Sequence, residues 1–368
     1  MALVVRGAIK DYDWGIIDGL APWAGVTTDG PQAELWFGVH PGGPSPLIDT
    51  EGEATGEHLA SRFDVESIPL LVKILAAARP LSVQVHPTKD LAQQGYQAQV
   101  QGQENRRIYA DPFEKTELLI ALVPFEAFAG WREATQAVAF LEAIQQVVGG
   151  PDIARACELV RQHDFKAALP HLLAAATPEA VASLAHAAQE IGLPAQQVQA
   201  YRIVADEYPN DPGALLTPLL GYVELGVGDA VFLPAGVPHS YIRGIGVEVM
   251  TSSDNVIRLG LTSKPVFVDQ ALKVLNDQAE PQIIRVGIGD SIWPVNSPFV
   301  ARLLRSGSER MPAGAYRIAL VVEGTAKVFS EGVDITLHPG TAAVMSAVDP
   351  DAVIEAEGLV AVIQSTER

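Results

Sequence analysis

The sequence has little of what extracellular, membrane-spanning and secreted proteins need. Its 368 residues include a single cysteine, Cys157, so no disulfide can form within the chain, and a reducing compartment is expected. No uninterrupted apolar run is long enough to cross a bilayer as a helix. The first residues lack the basic and apolar regions of a secretory signal. We therefore expect a cytoplasmic protein that does not associate with a membrane.

Positive charge is also scarce. The chain has 25 Lys and Arg residues against 44 Asp and Glu residues, which gives a formal net charge of −19. A charge of this sign opposes binding to nucleic acid and to anionic membrane surfaces. The expected partner is therefore a small molecule, and any site for an anionic substrate must be a local cluster of Arg and Lys side chains.

Hydrophobic residues make up 48% of the chain, enough for large cores in about two or three domains. Short apolar runs broken by Gly, Pro and Asp predict a β-rich domain formed by residues 1–131 and 218–275. Between these segments, residues 132–217 are rich in Ala, Leu, Gln and Glu at helical spacing, which predicts a helical insertion of about four or five helices. A second β domain is expected over residues 276–368.

Two short motifs far apart in the chain have the form of one metal site. The run 81–86 reads as a strand, and side chains two apart on a strand share a face, so Gln84 and His86 point the same way. The run 234–239, Pro-Ala-Gly-Val-Pro-His, places His239 just after a strand on a turn stiffened by two prolines and a glycine. This turn resembles the second metal-binding motif of cupin barrels.

A third segment completes a candidate ligand set. Lys115 and Glu117 lie two residues apart at the entrance to an apolar strand, so both can face one cavity, although a solvated charge cluster is the simpler reading of such a run. A zinc site needs three or four nitrogen, oxygen or sulfur ligands. That number of donors is supplied by Gln84, His86, Glu117 and His239.

The remaining histidines are assigned to ordinary structural positions. Three lie in the predicted helical insertion, one in a charged segment, and two in turns next to proline: these are His163, His171 and His186, then His58, then His40 and His338.

The segment 246–264 is unusually polar for its position. It carries Glu, Asp, Asn, Arg and Lys within one short stretch. Such groups near the interior of a barrel are unfavourable unless they are paired or used in chemistry. Either this stretch contributes to the site or it is an exposed loop with ordinary charges.

Taken together, these motifs resemble those of type I mannose-6-phosphate isomerase (phosphomannose isomerase), a family of the cupin superfamily. They occur in the order found in that family and extend from residue 7 to about residue 270. The segments that carry the resemblance are residues 33–38, 81–87, 115–117, 124–126, 234–239 and 253–264.

The resemblance implies a mainly β fold with a helical insertion: two cupin-type jelly-roll barrels plus an α-helical domain. It also implies a zinc-dependent enzyme that interconverts mannose 6-phosphate and fructose 6-phosphate. One Zn²⁺ per chain would be held by Gln84, His86, Glu117 and His239. The C-terminal barrel is expected to be free of metal, because nothing after Gly340 matches the histidine motif. We expect the chain to act as a monomer.

Aldose–ketose isomerisation moves a proton between C1 and C2 through an enediol(ate), which needs a base and a positive group near the developing oxyanion. The resemblance places the catalytic arginine at Arg258. Lys115 is expected to contact substrate oxygens or to transfer a proton, and Lys264 to contact the phosphate. Asp254 or Glu248 can carry the C1/C2 proton, and the sequence does not decide between them.

Three positions depart from the family pattern. Glu114 stands where the family has a histidine that has been assigned a part in ring opening, so the sequence leaves the ring-opening group open. Thr116 and Ser263 each replace a proline. Two alternatives remain: a non-catalytic sugar-binding cupin and a metal-dependent cupin of another catalytic class, such as an iron oxygenase. Gln84 weighs against the oxygenase, which commonly uses histidines with a carboxylate.

Overall fold

The computed structural model describes residues 2–49, 51–331 and 333–366. The described chain is mainly β, with two large antiparallel sheets, one short two-stranded sheet and a helical region between its β segments. The prediction of a mainly β protein with a helical insertion is therefore confirmed. The last two residues of the predicted C-terminal domain, 367 and 368, lie outside the described residues.

Short strands dominate the first third of the chain. They are β1 Leu3–Arg6, β2 Ala8–Lys10, β3 Ile16–Ile17, β4 Pro31–Gln32, β5 Glu34–Phe37, β6 Pro46–Ile48, β7 Ala54–His58, β8 Leu70–Ala77, β9 Val83–Val85, β10 Glu117–Ala121 and β11 Phe125–Trp131. Two helices interrupt them, α1 Ala21–Ala24 and α2 Lys89–Val100.

The helical region begins where the sequence changes in composition. The Glu133 carboxylate caps its first helix by accepting from the backbone N–H groups of Thr135 and Gln136. Thr177 caps a later helix, with Pro178 in its first turn, as the sequence indicates. The helices are α3 Ala134–Val148, α4 Pro151–Arg161, α5 Phe165–Ala175, α6 Pro178–Ala182, α7 Leu184–Glu190 and α8 Ala195–Glu207, followed by a 3₁₀ helix at Pro212–Leu219.

The remaining chain is again mostly strand. It contains one helix, α9 Val268–Val274. Its strands are β12 Leu220–Leu225, β13 Ala230–Leu233, β14 His239–Thr251, β15 Ile257–Gly260, β16 Gln282–Ile284, β17 Ser291–Ile292, β18 Phe299–Met311, β19 Arg317–Ser330, β20 Val333–Leu337, β21 Thr341–Met345 and β22 Ala352–Ser365.

One large sheet carries the predicted site. Its strands run in the order β16-β13-β10-β14-β8-β5-β2, and β9, β11, β12 and β15 extend it beside β14. In the register of this sheet Gln84 lies opposite both His239 and Arg258. Lys73 lies opposite Glu248. Pairing between strands therefore brings together residues that are far apart in the sequence.

The second large sheet draws strands from both ends of the sequence. Its order is β17-β18-β22-β19-β21-β1-β6-β7, with β20 beside β19. Three strands from the predicted catalytic domain thus belong to this sheet, and β16 from the predicted C-terminal domain belongs to the other one. The division by sequence differs from this pairing because hydrophobic patterns identify strands but not their non-local partners. The domain boundaries stay a prediction.

The two large sheets share one apolar core. Phe232 of β13 and Phe299 of β18 meet there with their ring centroids 6.2 Å apart. A separate core fills the helical region and reaches the strands behind the site through Val83, Val85 and Ile257. The site therefore rests on packed structure on both sides.

Among the described residues, no helix is long and apolar enough to cross a membrane.

Candidate active site

Three buried side chains meet at the ends of three strands. His86 follows β9, Glu117 begins β10, and His239 begins β14. The Nε2 atoms of His86 and His239 each lie 3.3 Å from a carboxylate oxygen of Glu117. One donor atom from each residue falls within 4.8 Å of the others. These are three of the four predicted metal ligands.

The two imidazoles turn their lone pairs into this space. His86 Nδ1 lies 2.9 Å from the Asn255 carbonyl oxygen, and His239 Nδ1 lies 3.0 Å from that of Val237. Since a carbonyl only accepts, each Nδ1 carries the proton and each Nε2 is left with a lone pair. Such backbone anchors are typical of histidines that bind a metal.

The donor set fits a cation. In the part of the chain that the structure describes, His86 Nε2 and a carboxylate oxygen of Glu117 are buried without a hydrogen-bond partner. Lone pairs and carboxylate oxygens that converge with no hydrogen between them repel one another, and a cation removes that repulsion. The geometry therefore supports a metal held by His86, Glu117 and His239.

Gln84, the fourth predicted ligand, lies beside these three. Its amide nitrogen is 3.2 Å from His239 Nε2, and its amide oxygen accepts from the Ser82 hydroxyl at 2.9 Å. A half turn of the amide, which has nearly the same shape either way, directs the oxygen toward the metal position. Gln84 is therefore placed to act as an oxygen ligand.

The protonation states favour metal binding. Burial lowers the pKa of His86 to about 4, so its imidazole is neutral near pH 7. Burial raises the pKa of Glu117, but the charge of Lys115, 3.0 Å from the carboxylate, outweighs burial and holds that pKa well below its usual range. Both groups are thus in the forms that bind metal ions.

A second buried cluster of charges lies next to the metal position. Lys73 Nζ lies 3.1 Å from a carboxylate oxygen of Glu34 and 3.1 Å from one of Glu248, and all three side chains are buried. Burial lowers the pKa of Lys73, but the two carboxylates raise it above its usual range overall. Trp36 Nε1 donates to the other oxygen of Glu34. Lys73 and Glu34 were not predicted as site residues from the sequence, although a lysine inside the apolar run of β8 was a signal.

One cavity of about 630 Å³ joins these groups. Its wall contains two predicted ligands, all the predicted catalytic residues and the predicted phosphate contact: Gln84, Glu117, Lys115, Glu248, Asp254, Arg258 and Lys264. Side chains that the sequence analysis did not assign complete it, among them Tyr12, Arg79, Tyr208 and Tyr241. A volume of this size suits a small polar ligand.

Glu114 lines a different cavity. This second space, of about 540 Å³, lies between the two large sheets and is also lined by Phe113 and Tyr316. The next residue, Lys115, faces the first cavity. The departure from the family pattern at position 114 thus lies on another wall, away from the predicted ligands.

His40 was assigned to a turn, yet it contacts the first cavity through Asp254. Its Nε2 lies 3.1 Å from the Asp254 carboxylate, and its ring stands edge-on to Trp36. The hydrogen bond from His40 lowers the pKa of Asp254. In the sequence, the only indication that His40 belongs to the site was its position between the strand at the start of segment 33–40 and the proline that follows it.

Comparison with known proteins agrees with the resemblance that the sequence motifs show. Residues 3–134 match the family model of the phosphomannose isomerase type I catalytic domain. The mannose-6-phosphate isomerase of Escherichia coli K12 is 30% identical over 391 aligned positions that cover 96% of this chain and 97% of that protein. Mannose-6-phosphate isomerase 1 of Arabidopsis thaliana is 30% identical, covering 87% and 81%.

The fold also matches solved structures over the whole length of the chain. A mutant of phosphomannose isomerase from Salmonella typhimurium superposes with a TM-score of 0.84 at 26% identity, covering 100% of both chains. Another mutant of the same enzyme gives a TM-score of 0.82 at 27% identity, again over 100% of both chains. The chain therefore belongs to the type I mannose-6-phosphate isomerase family.

Proposed function

We propose that the protein is a zinc-dependent isomerase that interconverts mannose 6-phosphate and fructose 6-phosphate through an enediol(ate). The observation that carries the proposal is the buried cluster of His86, Glu117 and His239, of which Glu117 lines a cavity that also holds Arg258 and Lys264. Metal donors and cations at one cavity suit a polar substrate that carries a phosphate.

Zinc is the metal that the donor set favours. Two imidazole nitrogens, one carboxylate and one amide oxygen form a four-donor set of the kind that zinc accepts, with room for a substrate atom if the shell expands. When bound, zinc supplies Lewis-acid polarisation of a substrate oxygen. The remaining chemistry rests on the side chains around it.

The charges of the cavity support an anionic substrate. Three buried carboxylates, of Glu34, Glu117 and Glu248, face two buried ammonium groups, of Lys73 and Lys115, for a net charge of −1. A dication changes that sum to +1. The filled site can then hold a negative charge that develops during the reaction.

We assign the C1/C2 proton to Glu248 rather than Asp254. Burial raises the pKa of Glu248 despite the opposing charge of Lys73, whereas the pKa of Asp254 is lowered by His40. A carboxylate with a raised pKa is the stronger base, which favours removal of a proton from carbon. In this proposal Glu248 takes the proton from C2 of the open-chain aldose and returns it to C1, while the hydroxyl proton of O2 is transferred to O1. Asp254 stays ionised and accepts from substrate hydroxyls.

Two cations at the outer part of the cavity bind the remaining oxygens. The Arg258 guanidinium stays protonated although burial lowers its pKa, and it stabilises the enediolate. Burial and the charge of Arg258 both lower the pKa of Lys264. A phosphate group bound beside these two cations relieves their mutual repulsion.

For the fold, we propose that both β regions are cupin-type jelly rolls and that only the first binds metal. The histidine-containing turn between β13 and β14 supports this for the first region. In the second, the turn from Leu337 to Thr341 has the sequence His-Pro-Gly, and Gly340 is followed by apolar strand residues rather than by a second histidine.

The proposal is tested by removing and restoring the metal. The purified protein is dialysed against a chelator, and formation of fructose 6-phosphate from mannose 6-phosphate is measured before and after addition of Zn²⁺. We expect turnover to disappear with the metal and to return with zinc. A zinc-loaded protein without turnover would instead indicate a non-catalytic sugar-binding cupin. Turnover that survives complete removal of metal would exclude the metal mechanism.

A further inference from the structure

Leu261 has a backbone conformation that leucine rarely adopts. Its φ is +53°, in the left-handed region, and its side chain is buried. For a residue other than glycine this conformation is unfavourable, because Cβ comes too close to the following carbonyl oxygen. Such a conformation persists only where surrounding contacts hold it, and it is often found at functional sites. Leu261 itself lines the active-site cavity, three residues before Lys264.

The contact that holds this turn comes from the helical region. Asp211 lies between α8 and the 3₁₀ helix at Pro212–Leu219. One of its carboxylate oxygens accepts from the Gly213 N–H at 2.8 Å, and the other accepts from the Thr262 N–H at 2.9 Å. A single carboxylate therefore caps the 3₁₀ helix and fixes the residue that follows the left-handed turn.

The fixed turn continues directly to Lys264. The Thr262 hydroxyl oxygen accepts from the Lys264 N–H at 3.0 Å. Beyond it, Lys264 Nζ lies over the ring of Tyr12, 5.3 Å from its centroid. Hydrogen bonds thus connect Asp211 through Thr262 to the backbone of the cation at the outer part of the cavity.

Backbone contact keeps the two segments together. A Cβ atom built on Gly213 would lie 2.3 Å from the Cα of Gly260, and one built on Gly260 would lie 2.3 Å from the Cα of Gly213. Only a pair of glycines allows this approach. The helical region is therefore pressed against the end of β15, immediately before the turn.

We propose that Asp211 is a positioning residue for the substrate phosphate. It holds the left-handed turn at Leu261 and thereby sets the place of Lys264. This inference rests on the proposed assignment of Lys264 to the phosphate, and it gives the helical insertion a role in substrate recognition.

The test variant is Asp211→Asn, which keeps the shape of the side chain but turns an amide N–H group toward one of the two backbone donors. We expect the KM for mannose 6-phosphate to rise about tenfold, with kcat close to that of the parent protein. The inhibition constant of inorganic phosphate should rise in parallel. The matched control is Asp164→Asn, since Asp164 caps α5 in the same helical region by accepting from Ala167 N and does not line the cavity. It should leave both constants unchanged.

A double variant separates positioning from a general structural effect. If Asp211 acts through Lys264, Asp211→Asn combined with Lys264→Ala should have the KM of Lys264→Ala alone. If the increases in KM of the two single variants multiply in the double variant, the inference is overturned. A fall in kcat of Asp211→Asn with unchanged KM would also overturn it. If Asp211→Asn does not fold, Thr262→Ala removes the next hydrogen bond of the series and should give the same rise in KM.

Two separate measurements test the proposed function and the role of Asp211. If the zinc-loaded parent protein does not turn over mannose 6-phosphate, the function fails. The affinity for inorganic phosphate, measured by calorimetry, then decides the role of Asp211. Equal affinities of the parent and Asp211→Asn proteins would overturn it, and an affinity about tenfold weaker in the variant would support it.

Discussion

The imidazole of His40 donates from Nε2 to the carboxylate of Asp254 across 3.1 Å. The direction is fixed because His40 Nδ1 already accepts from the Gly42 N–H at 3.1 Å. His40 is therefore a neutral donor behind a carboxylate that lines the active-site cavity. It stabilises the ionised form of Asp254, which in our proposal orients the hydroxyl groups of the substrate.

Replacing His40 should change the pH dependence of the reaction. His40→Phe keeps a ring against Trp36 but removes the donor, so the pKa of Asp254 should rise. Because Asp254 is then protonated at a higher pH, the rise of KM at acidic pH should begin about one unit higher, still below the ionisation of Glu248 that limits kcat. Lys115 and Lys73 also lower the pKa of Asp254. Both lysines remain in the variant, so we expect a shift no larger than this.

The control for this variant is a histidine–carboxylate pair outside the cavity. His171 Nδ1 lies 2.9 Å from a carboxylate oxygen of Asp152 in the helical region. His171→Phe should leave the pH profile of KM where it is. A His40→Phe profile that overlays the parent profile would show that Asp254 is not the group that titrates.

The predicted ligands are tested by metal content. Gln84→Ala and His239→Ala each remove one donor, so zinc affinity should fall by more than the roughly 10–100-fold that loss of an outer hydrogen-bond partner costs. Metal is measured by elemental analysis after dialysis, together with the rate. His186→Ala, an exposed histidine of α7, is the control and should keep its zinc. Full zinc content and full rate in either ligand variant would contradict the assignment.

Arg258→Ala should separate chemistry from metal binding. Loss of the guanidinium removes a positive group from the developing enediolate, so kcat should fall by about 10²–10³, with zinc retained. Arg258→Lys keeps the charge without the planar fork and should lose less activity than the alanine variant. Loss of zinc from Arg258→Ala would instead mean that the arginine is structural.

Cys157 should report on opening of the helical region. Its side chain is buried in the core of that region, and burial raises the pKa of the thiol to about 11. At pH 8 only about one thiol in a thousand is then ionised in the folded state, and little of it is accessible. A disulfide reagent should leave the native protein unlabelled and modify one thiol per chain after unfolding in urea. Rapid labelling of the native protein would show that this region opens easily.

The glycine contact at the insertion should matter for stability. Gly213→Ala places a methyl group against the backbone of Gly260, so the free energy of unfolding should fall by about 1–3 kcal/mol. Gly30→Ala is the matched control, because a Cβ atom there finds no atom closer than 3.7 Å. Unfolding in urea measures both variants. Equal free energies of unfolding for the two variants would show that the backbones at Gly213 and Gly260 can move apart without loss of stability.

The positions of the candidate metal ligands were predictable because local patterns place them. Alternation along β9 puts Gln84 and His86 on one face, and the proline-rich turn fixes His239 at the start of β14. The helical region was predictable for the same kind of reason, from spacing and caps within a few residues. Its six α-helices, in the residues that the structure describes, exceed the four or five expected, since α6 and α7 are too short for their periodicity to separate them.

The buried charges were not predictable in this way. Lys73 reads as one polar residue in an apolar strand, and its partners Glu34 and Glu248 reach it only through the register of three strands. The role of His40 likewise depends on Asp254, which is far away in the sequence. The expectation that position 114 bears on ring opening came from the family pattern, and only the folded chain shows Glu114 on the wall of another cavity.

The pairing of β1 in the second large sheet affects how the chain folds during its synthesis on the ribosome. Leu3 lies opposite Val344, so β1 emerges from the ribosome long before its partner β21 exists. At about 5–20 residues per second, the wait is on the order of tens of seconds. Until then β1 can pair only with β6, and its other edge is exposed to any strand nearby. During that part of synthesis the nascent chain therefore carries one unpaired strand edge on β1.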